Sequence, residues 1–149
     1  KVERATETLV VDASIVAKWF TVEVDSDKSI AVRDRYVEGG VELTAPDLLV
    51  YEVANVLRYH PAIGDTQLGE DVGSIFLLDF DLVPPSPELA AKSVLYARRF
   101  DITVYDAVYV ALAESLSSNL LTADSELHSK TKAAGTLLLS EMGRGWILP

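Results

Sequence analysis

The chain has no cysteine, two histidines and a single methionine. Without cysteine, disulfides, thiolate nucleophiles and sulfur-ligated zinc are excluded. His60 and His128 stand far apart in the sequence, which removes support for a zinc hydrolase or a histidine-centred triad. The sequence also has no G-x-x-x-x-G-K-[ST] loop, no G-x-G-x-x-G turn, no G-x-S-x-G elbow and no H-E-x-x-H helix. No apolar run reaches the roughly 18 residues of a membrane span. No apolar stretch follows the charged N-terminus as a signal peptide requires, so the expectation is a cytoplasmic protein with no membrane partner.

Bases are scarce as well. Thirteen Lys and Arg face 23 Asp and Glu, a formal net charge of −10, and a field of that sign repels nucleic acid at long range. This argues against a sequence-indifferent DNA coat, although a local site could still bind RNA. The bases that could serve one, Lys18, Arg58, Arg98, Arg99, Lys130 and Lys132, are scattered along the chain in the manner of solvated surface residues.

What is present is a chain of 149 residues, 49% of them hydrophobic. That length can bury about 68 to 70% of its unfolded surface in one domain. The expected organisation is a charged lead-in over residues 1–7, "KVERATE", followed by one domain over 8–149. "TLVVDA" at 8–13 reads as a buried strand that stops at an acid, and "SIVAKWF" begins a helix. A helix over "DSDKSIAVRDRYVEGG" closes on Gly39-Gly40, and "VELTAP" is a strand ended by Pro46. Helical patterns follow from Asp47 and over "DTQLGEDVGSIFLLDF", then a short strand, "DLVPP". Ser86 suits a helix cap and Pro87 a first helical position, so "SPELAAKSVLYARRF" is predicted helical, and "TVYDAVYVALAESL" after it. "NLLTAD" is a strand, "SELHSKTKAAG" a helix closed by Gly135, and "TLLLS" a last strand. Strands separated by helices throughout imply a parallel sheet covered on both faces.

Chemistry then falls to acids at strand ends and early in helices. Asp12 ends the first strand and Asp124 follows the "NLLTA" strand, so both point by topology to the crevice beyond the carboxyl ends of a parallel sheet. Asp106, three residues past Thr103, and Glu52, alone in the apolar run "LLVYEVANVL", could join them. Each has a plainer explanation. Asp12 and Asp124 suit helix N-caps, and "TVYD" has the spacing of a capping box. Glu52 lies too far past Asp47 for a first-turn role, yet Glu52, Asn55 and Tyr59 recur at helical spacing and fit a solvated stripe. A carboxylate among leucines and valines otherwise needs a cation, a hydrogen-bond donor or open water. A cluster of acids would repel itself unless a divalent cation neutralised it, and Mg²⁺ or Mn²⁺ suits carboxylate oxygens without help from His or Cys.

Taken together and in order, "VVDAS", "PDLLVYEVANVL", "TVYDAVYVALAE" and "LLTADSEL" resemble the PIN-domain family, and within it the VapC-type toxins. The resemblance implies an α/β fold, a three-layer α/β/α sandwich on a mostly parallel, five-stranded sheet. It implies a metal-dependent endoribonuclease, the toxin of a type II toxin-antitoxin pair, with Mg²⁺ or Mn²⁺ as cofactor. RNA would be the substrate, a small antitoxin the inhibitory partner, and a homodimer the assembly. The family's catalytic and metal-ligating acids fall on Asp12, Glu52, Asp106 and Asp124, with Ser14, Asn55 and Thr122 as polar neighbours of the metal. A haloacid-dehalogenase-type phosphatase would need D-x-D, and "DAS" puts Ser14 at the second acid. A receiver-like phosphoacceptor would want paired acids near its first strand and a late-strand lysine, which "VVDAS" and "TLLLS" do not offer. The remaining alternative is a catalytically silent PIN-like module that acts through protein-protein interaction.

Overall fold

Leu9, Val10 and Val11 have no exposed surface at all, which is the condition of a strand covered on both faces. They belong to β1 (Thr8–Val11), the middle strand of a sheet seen in a computed structural model that describes residues 6–143. β2 (Glu42–Pro46) and β4 (Asn119–Thr122) flank it, with β3 (Asp81–Val83) and β5 (Leu137–Leu138) outermost. The order is β3-β2-β1-β4-β5 and every pairing is parallel. Most of the lead-in predicted over residues 1–7 lies outside the described residues, as does the end of the predicted 8–149 span.

Between the strands run α1 (Ala13–Ala17), α2 (Ser26–Val37), α3 (Leu48–Leu57), α4 (Asp65–Leu77), α5 (Pro87–Phe100), α6 (Val104–Ser115) and α7 (Ser125–Thr131). Parallel crossovers are right-handed. The connections out of β1 and β2 run one way along the sheet and those out of β3 and β4 the other, so α1–α4 cover one face and α5–α7 the opposite face. α6 packs on β1, β2 and β4, with α5 beside it. This is the predicted α/β sandwich. Among the described residues no helix is long and apolar enough to cross a membrane.

Element ends follow local chemistry. Gly39 and Gly135, at φ of 81° and 91°, terminate α2 and the 3₁₀ turn after α7 in the left-handed region, which costs glycine nothing. α1 is shorter than "SIVAKWF" suggests. Trp19 leaves the helical line, its side chain buried and its indole N–H donating to the Ser29 carbonyl at 2.9 Å. The last strand is likewise only Leu137–Leu138, because a 3₁₀ turn over Leu139–Glu141 begins at once.

Because β1 and β4 are neighbours whose connections leave in opposite directions, the sheet has its topological switch between their carboxyl ends, where a crevice opens. Ser86 caps α5, its hydroxyl accepting the Leu89 amide at 3.1 Å. Ser86→Ala should cost about 0.5 to 2 kcal/mol, read as a lowered urea midpoint. A midpoint equal to wild type would show that the cap is dispensable.

Candidate active site

Asp12 is the first residue past β1 and caps α1. Its Oδ1 accepts the amides of Ser14 (3.0 Å) and Ile15 (3.3 Å) and the Ser14 hydroxyl (2.5 Å), while Oδ2 accepts the Thr122 hydroxyl at 2.5 Å. Thr122 closes β4 and is fully buried. Both hydroxyls also accept backbone amides, Ser14 across the switch from Ala123 at 2.8 Å and Thr122 locally from Asp124 at 3.1 Å. Strand ends from distant parts of the chain are thereby laced together around one carboxylate.

The other acids reach the crevice from helices. Asp124 caps α7, accepting the amides of Glu126 and Leu127 at 2.9 and 3.1 Å. Asp106 sits in the first turn of α6, whose cap is Thr103, accepting the Asp106 amide at 3.1 Å. Asp106 and Asp124 line a cleft of about 370 Å³ with Thr103, Glu126 and Lys130. Lys130 ties α7 to the turn before α6, donating to the Asp101 carbonyl at 2.9 Å. Glu52, on α3, lines an adjoining groove of about 410 Å³ with Ala13, Leu48, Tyr51, Asn55 and Tyr105.

Electrostatics join these residues. Burial lifts the Asp12 carboxyl from its ordinary 3.8 to about 6, against the pull of the Ser14 and Thr122 hydroxyls and the Ile15 amide, with the Asp106 charge adding to the rise. Glu52 is raised chiefly by burial, with Asp106 and Asp12 adding and a hydrogen bond from Tyr109 opposing. Asp106 is raised first by burial and then by the charge of Asp124. Asp12, Glu52 and Asp106 thus each feel at least one other acid of the predicted four. Among the described residues, no three Asp, Glu or His side chains are gathered into a ready coordination cluster. The donors fit Mg²⁺ or Mn²⁺ in kind, since all are hard oxygens. A raised carboxyl in a field of like charge is also a group that an added positive charge relieves.

Residues 9–133 match the PIN domain in a comparison with protein families. The chain belongs to the PIN-domain family. Ribonuclease VapC3 of Pyrobaculum aerophilum is 37% identical over 134 residues, 86% of this chain and 98% of the relative. The crystal structure of PAE2754 from the same organism superposes with a TM-score of 0.66 at 25% identity, over 91% of this chain and 85% of that one. A toxin-antitoxin complex from Klebsiella pneumoniae contains a chain matched at a TM-score of 0.59 and 17% identity, over 81% of this chain and 90% of that one.

Within this PIN-domain fold the predicted polar neighbours divide. Ser14 and Thr122 hold Asp12 directly. Asn55 shares the groove with Glu52, but its amide oxygen accepts the Arg58 Nε–H at 2.8 Å. Arg58 also donates to the Tyr59 hydroxyl and lies over that ring, 3.9 Å from its centroid. Arg58 is therefore engaged by Asn55 and Tyr59. The group that compensates Glu52 is Tyr109 of α6, whose hydroxyl donates to Oε1 at 2.6 Å. Sequence reading missed Tyr109 because it falls on the apolar face of α6. The available signal was its spacing, one turn beyond Asp106.

The sign of the pH dependence follows from Asp12. A carboxyl raised on folding binds its proton more tightly in the native state, so its contribution to stability is fully present below pH 3.8 and is lost as pH rises through about 6. That difference corresponds to on the order of 3 kcal/mol, and Glu52 and Asp106, also raised, act in the same direction. In EDTA, the contribution of these acids to the urea midpoint should fall between pH 4 and pH 6.5. Asp12→Asn, which caps nearly as well, should flatten the profile. Matching slopes in wild type and variant would show that Asp12 is not the group responsible.

Proposed function

We propose that this PIN-domain protein is a metal-dependent endoribonuclease, the toxin of a toxin-antitoxin pair, with its active site at Asp12, Glu52, Asp106 and Asp124. The observation that carries the reading is Asp12, a carboxylate at the switch point, held by two hydroxyls and raised by its burial, with the Asp106 charge adding. An acid serving only as a helix cap needs neither burial nor acidic neighbours. Similarity to a ribonuclease over most of both chains supports the same reaction class.

Asp12, Glu52, Asp106 and Asp124 would hold Mg²⁺ or Mn²⁺, which when bound supplies Lewis-acid polarisation of the phosphate and a water of lowered pKa. Ser14 and Thr122 fix the rotamer of Asp12 with two charge-assisted hydrogen bonds, so its carboxylate does not reorient during the reaction. Asp106 and Asp124 bound the open cleft and repel a bare phosphodiester, so RNA approaches productively only when that charge is neutralised. Lys130, on the cleft wall, offers the phosphate chain a positive charge. Hydrolysis of the phosphodiester to a 5′-phosphate and a 3′-hydroxyl needs no side-chain nucleophile, which accords with the absence of cysteine and of any histidine-centred triad.

Purified protein should cleave RNA with Mg²⁺ or Mn²⁺ and spare it in EDTA. Asp106→Asn, which keeps size and helix start, should lower the rate by more than the about 10- to 100-fold that loss of an outer partner of a metal site costs. Cleavage that persists in EDTA, or that survives the substitution, would leave the silent interaction module as the reading.

A small antitoxin is the expected partner, and a homodimer the expected assembly. Exposed Tyr51, Tyr59 and Tyr105 give a partner apolar surface next to the acids. An arginine of the antitoxin would pair with a carboxylate of the crevice in bidentate geometry. Co-expression with the adjacent small open reading frame should relieve toxicity and yield a copurifying complex that does not cleave RNA. A complex that cleaves at the free protein's rate would remove the idea of a plugged site.

A further inference from the structure

Tyr109 is buried beside the acids, and the chemistry above does not use it. Its side chain is 1% exposed, and its hydroxyl donates to Glu52 Oε1 at 2.6 Å across 57 residues of sequence. Phenylalanine would fill the same core volume with no polar atom to satisfy. The hydroxyl therefore calls for an explanation beyond packing. The bond lies at the short end for an O–H donor to a carboxylate, in the strong, charge-assisted class. It also spans the two helices that bring acids to the crevice, α3 with Glu52 and α6 with Asp106.

Of the four acids, Glu52 has the longest side chain and the most rotamers to lose. Asp12 and Asp124 are held by their own cap amides, and Asp106 sits in the first turn behind the Thr103 cap. Glu52 lies past the first turn of α3, where no free amide is within reach. Only one of its oxygens is bonded within the described residues, by Tyr109.

We propose that Tyr109 is a positioning residue, holding one oxygen of Glu52 so that the other is presented to a divalent cation in the groove that Glu52 lines. The inference rests on the nuclease reading. Tyr109 touches neither RNA nor metal and acts through Glu52 alone.

The test is Tyr109→Phe in the whole chain, with Mn²⁺ titrated against melting temperature and, separately, against RNA cleavage. The half-saturating Mn²⁺ should rise about 10-fold in both readouts, the lower end of the range for partners outside the coordination sphere. KM for RNA at saturating Mn²⁺ should not move, and the maximal rate should recover to within about 3-fold of wild type. In a Glu52→Ala background the same substitution should add no further loss, because residues that act through one another are not additive. A hydroxyl that merely ties α3 to α6 would instead lower melting in EDTA and leave the Mn²⁺ midpoint where it was. If the phenylalanine variant does not fold, the wild-type Tyr109 hydroxyl proton, followed by NMR, should shift saturably as Mg²⁺ is added. A resonance that stays fixed while Mg²⁺ binds would overturn the proposal. A wild-type protein with no Mn²⁺ response overturns the nuclease reading and this inference together, whereas a response preserved in Tyr109→Phe overturns this inference alone.

Discussion

The hydrogen bond from the Thr122 hydroxyl to Asp12 joins the carboxyl ends of β1 and β4, and much of the site's geometry depends on that junction. An isolated carboxylate at such depth would lose several kcal/mol of hydration. Thr122 and Ser14 replace part of it, and each hydroxyl accepts a backbone amide in turn. The chain that follows β4 is thereby fixed in direction, and with it Asp124 and the start of α7. The same few bonds stabilise the strand junction and set the angle at which the acids face the crevice.

Gathering acids works against folding, and the structure distributes that cost. Asp12 is offset by hydroxyls and amides, Glu52 by Tyr109, and Asp106 by the Thr103 hydroxyl beside it. Asp124, exposed at the cleft, gives its Oδ1 to two amides of α7. Among the described residues none of the four forms an ion pair with a basic side chain; Lys130, on the wall of the cleft, is engaged by Glu126 and the Asp101 carbonyl instead.

Much of the architecture could be read from residue pattern alone. Strand and helix periods alternate cleanly, Ser86-Pro87 and Thr103 mark helix starts, and Gly39 and Gly135 mark ends, because these signals are local and each has a steric or hydrogen-bonding cause. The acids at strand ends could also be placed, since topology sends them to one crevice. Cap and site readings of Asp12 turn out to be compatible, as its Oδ1 caps α1 while Oδ2 receives Thr122. What sequence could not show were pairings across long separations. Tyr109 looks like any core aromatic on α6 until Glu52 is found 2.6 Å away. Asn55 looks like a neighbour of the acids until Arg58 is seen to hold its oxygen.

The distance along the chain between Asp12 and Thr122, 110 residues, bears on biosynthesis. A ribosome delivers β1 and Asp12 early, but β4, Thr122 and Asp124 only when most of the chain has been made. Until then Asp12 has no Thr122 to hold it, Asp124 does not exist, and the crevice lacks one wall. A fragment released before β4 carries three of the four acids, Asp12, Glu52 and Asp106, but neither Thr122 nor Asp124. Placing the strand that carries Thr122 and Asp124 so late means that the junction around Asp12 closes only when the chain is nearly complete.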